Sequence, residues 1–439
     1  MKNNKISSKK KINIKLDISY KPIYILNNGV KIFLIKRDNE SIVDIELKIN
    51  HPYINNKYFS ILKILFDDII KLGNNNYSTQ KINKILMENC ADLNFNFKGF
   101  KLNVYKKNIK NIFSLINKIF IKSIFSNDKK FINILKKIIM YITLYKNNPK
   151  LIINNLRDKI YCNNFNDLFF LKKNINNIKL YKIKKIFKKY FIPNNAYLFF
   201  YGNISKNKVI ILAKKYFSNW LYRTIPKNKK INNIFVKKKK NDIMFIDYPK
   251  FNNNIIIKLG NILNYQINNK IYIILLLIPY IFKNCKYKYF KNISINLYIN
   301  KYLSYIDFTL YITNKNIYFI IKNIKKIIHE ICLKKININI LNLIKKKLIN
   351  KLLIKYSNCY NLFKLIYNNY IYNFKNKFCV NIIKIINKIT IYDIYKVLKI
   401  IFSKYYKNII MANILNFYKE DILIDNIKIN YLNIYGYNN

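Results

Sequence analysis

The feature that most constrains this chain is a break in its pattern between Lys227 and Asn241, where the sequence turns polar and lysine-dense and loses apolar periodicity. Before the break, Pro22–Leu26 and Val30–Ile35 flank Asn27-Asn28-Gly29, a strand, turn, strand signal. Ser41–Ile49 alternates apolar and polar residues and predicts a strand with one buried face. Helical spacing follows over Phe59–Gly73 and Thr79–Glu88. Strands are expected over Leu93–Phe97 and Gly99–Tyr105, then helices over Ile109–Ile119, Lys129–Lys146 (closing at Pro149) and Leu180–Tyr190. The strand Ala196–Gly202 and the helix Lys206–Phe217 complete this half. After the break the order repeats in outline. Met244–Ile246 and Ile255–Leu259 read as strands, the apolar run to Phe282 as a helix and Tyr302–Thr313 as a strand region. A long helical stretch from Ile317 to about Tyr356, more helices to Tyr405 and a late strand at Ile409–Ile414 follow.

This order predicts an α+β fold of two similar domains, each a sandwich of an antiparallel or mixed sheet packed with helices. The expected division is a basic lead over 1–20, an N-terminal domain over 21–226, a linker over 227–241 and a C-terminal domain over 242–439. Similar size and order imply an internal duplication at the level of fold.

Charge is a weaker guide. The formal net charge is +61, yet only Arg37, Arg157 and Arg223 among the 81 basic residues are arginine. Lys, Asn, Ile, Tyr and Phe crowd every segment, the bias of an AT-rich genome. The lysines are spread along the chain, and the arginines suited to bidentate phosphate and base contacts are scarce, so specific nucleic-acid binding is not expected. The six cysteines, at 90, 162, 285, 332, 359 and 379, form no Cys-x-x-Cys pair and read as buried thiols of a reducing compartment. The basic N-terminus has no apolar stretch behind it and is not a signal peptide. The longest apolar run, Ile271–Phe282, is too short to span a bilayer and contains Pro279, so a core helix and a cytoplasmic protein are expected.

One helix carries an unusual acidic pair, Asp67-Asp68, ahead of its glycine cap at Gly73. With the Asn28-Gly29 hairpin, the Ser78-initiated helix, Pro149, Pro193-Asn-Asn-Ala196 leading to Gly202-Asn-Ile, Phe217-Ser-Asn-Trp220 and Asp247-Tyr-Pro249, it makes an ordered set of anchors. From about Lys21 to Lys351 the chain resembles the insulinase/pitrilysin peptidases, in the short bacterial branch that includes mitochondrial processing-peptidase and cytochrome-complex core subunits. The resemblance implies two α/β sandwich domains arranged as a clamshell around a chamber for an extended peptide. It also implies an inverted zinc motif, His-x-x-Glu-His, with a distal glutamate. In such a motif two imidazoles one turn apart share a helix face and bind the metal, while the glutamate activates its water.

Counted back from Gly73, the family's ligand and base positions fall on Ile64, Asp67 and Asp68; counted back from Pro149, the distal ligand falls on Tyr141. Only a shortened carboxylate remains at the base position, Asp67, and one aspartate at Asp68 cannot complete a three-ligand site. The chain's two histidines, His51 and His329, lie on other segments. No cofactor is therefore expected, and the isolated chain is not expected to be a zinc peptidase. On the bland reading the acidic pair is a solvated helix face. In the second half the family's peptide-holding Arg and Tyr, seven apart, map to Lys291 and Tyr298; lysine keeps the charge without the bidentate fork.

The leading expectation is an inactive subunit that pairs with a zinc-bearing homologue and shares a peptide substrate. An active metal-dependent peptidase with divergent ligands and a structural or polyanion-binding protein are the alternatives.

Overall fold

The structure is a computed structural model that describes residues 21–38, 40–51, 66–71, 76–121, 128–146, 148–162, 179–224, 243–247, 255–263, 268–283, 293–299, 304–312, 322–323, 326, 329–330, 337–372, 374, 378–402, 407–412 and 429–433. The lead over 1–20 and the linker over 227–241 lie outside the described residues.

The chain opens with the expected hairpin. β1 (Tyr24–Ile25) and β2 (Lys31–Lys36) pair antiparallel, and Leu26 N–H donates to Val30 O at 2.9 Å. Gly29 takes the turn at φ 90°, where a Cβ would stand 2.8 Å from Asn194 Cα. β3 (Ile42–Ile49) is followed by a helix over 66–71, here α1, and by α2 (Thr79–Glu88), whose N-cap Ser78 accepts from Lys81 N–H. β4 (Ala91–Asn96) and β5 (Gly99–Tyr105) form the second hairpin. Then come α3 (Ile109–Ile116), α4 (Asp128–Lys146), α5 (Pro149–Cys162), α6 (Leu180–Tyr190), β6 (Ala196–Gly202) and α7 (Lys206–Phe217). The second half runs β7 (Ile243–Asp247), β8 (Ile255–Ile262), α8 (Asn269–Lys283), β9 (Ile293–Tyr298) and β10 (Tyr305–Ile312). It ends with α9 (Ile338–Tyr356), α10 (Cys359–Ile371), α11 (Phe378–Lys388), α12 (Ile391–Phe402), β11 (Lys407–Ala412) and β12 (Ile429–Asn433).

The strands make two six-stranded sheets, ordered β1-β2-β6-β3-β5-β4 and β12-β7-β11-β8-β10-β9. Position by position the two orders correspond. Each places a parallel pair, β2/β6 or β7/β11, beside an antiparallel run. The outer strand next to that pair differs: β1 is antiparallel to β2, whereas β12 is parallel to β7. Among the described residues no helix is long and apolar enough to cross a membrane.

The alternation of β3 predicts one buried face, but both faces are buried. Val43, Ile45, Leu47 and Ile49 point into the core shared with α2, α3, α6 and α7. Glu46 and Lys48, on the other face, are 4% and 8% exposed. The cause is a helix from the other half. α10 lies across the far face of the first sheet, where Phe33, Tyr197, Phe199 and Tyr201 join its Phe363 and Tyr367 in one core with the second half. Phe199 and Phe363 stack with ring centres 5.1 Å apart, and Tyr197 meets Tyr367 edge-on at 5.2 Å. Polar groups on this seam are paired. Lys48 Nζ meets Glu46 at 2.8 Å, Cys359 Sγ donates to Asp44 at 3.1 Å, and Tyr360 OH donates to Asn103 at 2.9 Å. Burial pushes Glu46 up and Lys48 down to about 8, while burial and then the Asp44 carboxylate raise the Cys359 thiol, leaving it unreactive.

Four further features depart from the sequence pattern. Pro149 closes α4 but also starts α5, standing at the first helical turn where its missing N–H costs nothing. β9 and β12 are strands that the expected order lacks. The long helix expected from Ile317 is interrupted, because Asn337 is extended and its side chain accepts from Asn339 N–H to start α9 afresh. Cys90 is exposed, with φ 47°, because it turns the chain outward between the end of α2 and β4.

The seam sets a stability prediction. Phe199→Ala, at a site with no exposure, is expected to cost about 3–5 kcal/mol in urea unfolding followed by circular dichroism. Met87→Ala, 79% exposed, should stay within about 0.5 kcal/mol.

Candidate functional site

α1 is held by Phe66, Ile69 and Ile70, all buried, at the i, i+3, i+4 spacing of one helix face. Phe66 stacks on Phe191 at 4.8 Å. Thr79 Oγ1 donates to Lys71 O at 2.9 Å and ties the end of α1 to α2. The acidic pair therefore faces outward, and each carboxylate is taken up by a protein partner. Asp67 accepts the Phe95 N–H at 3.1 Å with one oxygen and meets Lys71 Nζ at 3.1 Å with the other. Asp68 pairs with Lys137 Nζ of α4 at 3.1 Å. Tyr141 lies one turn further along α4; Ile64 lies outside the described residues.

The Asp67 contact has a clear geometric meaning. β4 is the outermost strand of its sheet, paired only with β5. An edge strand leaves amides without a ladder partner, and Asp67 satisfies one of them. The pair is thus more than the solvated face that the bland sequence reading allows.

These residues do not fit zinc. Two adjacent positions on a helix point about 100° apart, so Asp67 and Asp68 cannot converge on one ion. An ammonium already sits against each carboxylate. Among the described residues no group of three or more His, Cys, Asp or Glu could hold a metal. Where a metal would cross-link α1 to α4, the Asp68–Lys137 ion pair does so. His51 belongs to the end of β3, with Nε2 2.8 Å from Phe97 O and its ring against Phe97 and Phe191. Burial pushes it down to about 4, so it is neutral at pH 7. His329 is exposed and remote in sequence from the acidic pair.

Tyr298 closes β9, the outer strand of the second sheet, and is 45% exposed. It stacks on Tyr305 at 5.0 Å, and Tyr305 carries the Arg157 guanidinium 4.7 Å from its ring centre. Lys291 lies outside the described residues. Arg157 comes from α5, the helix that the sequence pattern hid behind Pro149. Its Nη1 meets the fully buried Asp307 at 3.0 Å. Lys258 Nζ stands 3.7 Å from the same carboxylate, and Asn296 Nδ2 donates to it at 2.8 Å. A buried carboxylate surrounded by two cations and an amide is what charge burial demands. The signal that could have exposed Arg157 is its rarity, one of three arginines in the chain.

With this geometry in place, the comparisons with known proteins can be read. Residues 177–348 match the family model described as the peptidase M16 inactive domain. That segment, 172 of the 439 residues, supports the resemblance to the insulinase/pitrilysin peptidases. The match reaches Tyr298 but not α1 or α4. The chain resembles a protease from Helicobacter pylori at 14% identity and TM-score 0.71, over 89% of this chain and 98% of that one. It also resembles a peptidase M16 inactive domain from Pseudomonas fluorescens, at 12% identity and TM-score 0.72, over 89% and 97%. The periplasmic protease PqqL from Escherichia coli aligns at 13% identity and TM-score 0.69, over 88% of this chain but 45% of that one. At these identities the structural likeness establishes the fold alone. No curated protein matches the sequence.

Two outcomes follow from His51 and the buried Asp307. Because His51 binds its proton more weakly folded than unfolded, stability contributed above pH 6.5 is lost as pH falls toward about 4. That loss is about 2–3 kcal/mol, and His51→Gln should flatten this part of the profile in urea melts at pH 7, 5.5 and 4.5. Arg157→Ala should destabilise by about 3 kcal/mol, because Asp307 keeps Lys258 and Asn296 but loses its closest cation.

Proposed function

We propose that this insulinase-family homologue is a catalytically inactive subunit, forming a peptide-binding chamber together with a zinc-bearing homologous chain. The observation that carries the reading is the state of the acidic pair. Asp67 and Asp68, at the family's base and ligand positions, are engaged by Phe95 N–H, Lys71 and Lys137. Each carboxylate already faces an ammonium, and among the described residues no third ligand stands beside the pair to complete a metal site. The chain's contribution is then to shape and hold. Tyr298, exposed at the end of an outer strand, offers a hydroxyl to an extended peptide, and Lys291, seven residues earlier, supplies a positive charge. A cytoplasmic site of action is part of the same proposal.

Co-expression with a zinc-bearing homologue tests it. The pair is expected to co-purify with one zinc per two chains and to cleave unstructured peptides, while the isolated chain binds no zinc and cleaves nothing. In the pair, Asp67→Asn with Asp68→Asn should leave kcat unchanged, and Tyr298→Phe should raise KM several-fold. Stoichiometric zinc and cleavage by the isolated chain, abolished by the aspartate changes, would overturn the reading.

A further inference from the structure

The lysines of this chain are spread, but its acids are not. Residues 168–241 hold twenty Lys and Arg and no Asp or Glu in 74 positions, whereas the whole chain has 81 and 20 in 439. No carboxylate of the stretch can neutralise its own cations. α6 and the turn after α7 both fall inside it.

α6 is amphipathic in an extreme form. Leu180, Ile183, Ile186 and Phe187 are buried, and Lys185, Lys188 and Lys189 line up on the other side at i, i+3 and i+4. Like charges at these spacings repel, which a solvated helix tolerates but does not gain from. The stripe is exposed, and a second segment borders it. The segment Leu221–Thr224 folds back over the end of α6 and is held at two points. Arg223 Nη1 donates to Lys188 O at 3.0 Å, one of the carbonyls a helix end leaves open, and Asn194 Nδ2 donates to Arg223 O at 3.1 Å. Between helix and segment lies a cavity of about 640 Å³, lined by Lys185, Lys188, Lys189, Arg223 and Thr224. Four of these residues are cationic and one carries a hydroxyl, and no carboxylate is among the described lining residues.

Compositional bias puts lysine on every helix, but it does not supply a concave wall or an arginine. Arg223 is one of three in the chain, and arginine's planar fork suits phosphate better than lysine's point charge. The volume lies within the roughly 300–1,000 Å³ of small-molecule pockets. We infer that this cavity is a binding site for a small anion carrying two or more phosphate groups. The phosphates bridge the lysine stripe of α6 to Arg223 and relieve the repulsion along it. The site shares no described lining residue with the acidic pair or with Tyr298.

The test uses the full chain and inorganic tripolyphosphate, titrated calorimetrically at 50 and 200 mM salt. One tripolyphosphate per chain is expected, weakening at least tenfold in Lys185→Ala/Lys189→Ala. Arg223→Lys, which keeps the charge and loses the fork, should weaken it several-fold. The control Lys206→Ala/Lys214→Ala, on α7 in the same acid-free stretch, should change affinity less than twofold. All four substitutions of lysine by alanine alter exposed side chains, and unchanged far-ultraviolet circular dichroism verifies the fold. An equal loss in the control means diffuse attraction by net charge and overturns the site. So does non-saturating binding. A single-stranded oligonucleotide that binds through the same lysines and outcompetes tripolyphosphate would instead make this a nucleic-acid surface, and overturns the small-ligand assignment.

Discussion

Everything in this molecule depends on the crossing of α10 over the far face of the first sheet. A sheet buries apolar surface on two faces, and among the described residues the helices of the first half cover only one face of the first sheet. Phe33, Tyr197 and Phe199 would otherwise face water. Instead they meet Phe363, Tyr367 and Tyr370, which also belong to the core of the second half. The two halves therefore share one hydrophobic core across the seam, and fixing one fixes the orientation of the other. The second sheet makes the reciprocal contact through α5 of the first half, where Asn154 and Arg157 reach Lys258 and Asp307.

The two seams differ in how they handle charge, and that difference explains what each can do. At the first, Glu46 and Lys48 neutralise each other within one strand, and Cys359 and Tyr360 use their hydrogens on Asp44 and Asn103. At the second, one carboxylate is compensated by cations from both halves. A buried ion pair is poor evidence of net stabilisation but strongly punishes loss of one partner. It therefore specifies which surfaces meet rather than how tightly. The acidic pair of α1 follows the opposite logic. Asp68 and Lys137 are both well exposed, so their pairing adds little stability, and its effect is to occupy a carboxylate that a metal would need.

Much of the fold was legible in the chain. The hairpin at Gly29, the Ser78 cap, the alternation over Gly99–Tyr105 and the buried helix ending at Lys283 all follow from local signals, because turn geometry, capping and periodicity act over a few residues. What failed did so for identifiable reasons. Pro149 has two meanings, helix stop and first-turn starter, and only the residues after it decide between them. β9 is the exception, because Ile293-Ser294-Ile295-Asn296-Leu297 does alternate as a half-buried edge strand should, and its signal was local and present. β12 gains its structure from pairing with β7, some 180 residues earlier, which no local pattern contains. In the candidate site, the positions of Asp67, Asp68 and Tyr298 were readable, but their partners were not. Phe95 N–H, Lys137 and Arg157 are brought in by three different elements.

The sequence by itself determined two α+β halves in the same order and the absence of histidines on the acidic helix, since both are properties of local composition and spacing. Only the tertiary structure decided that β3 is buried on both faces, that Asp67 is spent on a sheet edge and Asp68 on a lysine of α4, and that Arg223 is brought beside the lysines of α6. The reason is physical. Periodicity says which side of an element avoids water, but burial of the second face and the pairing of a charge depend on what the rest of the chain brings within reach.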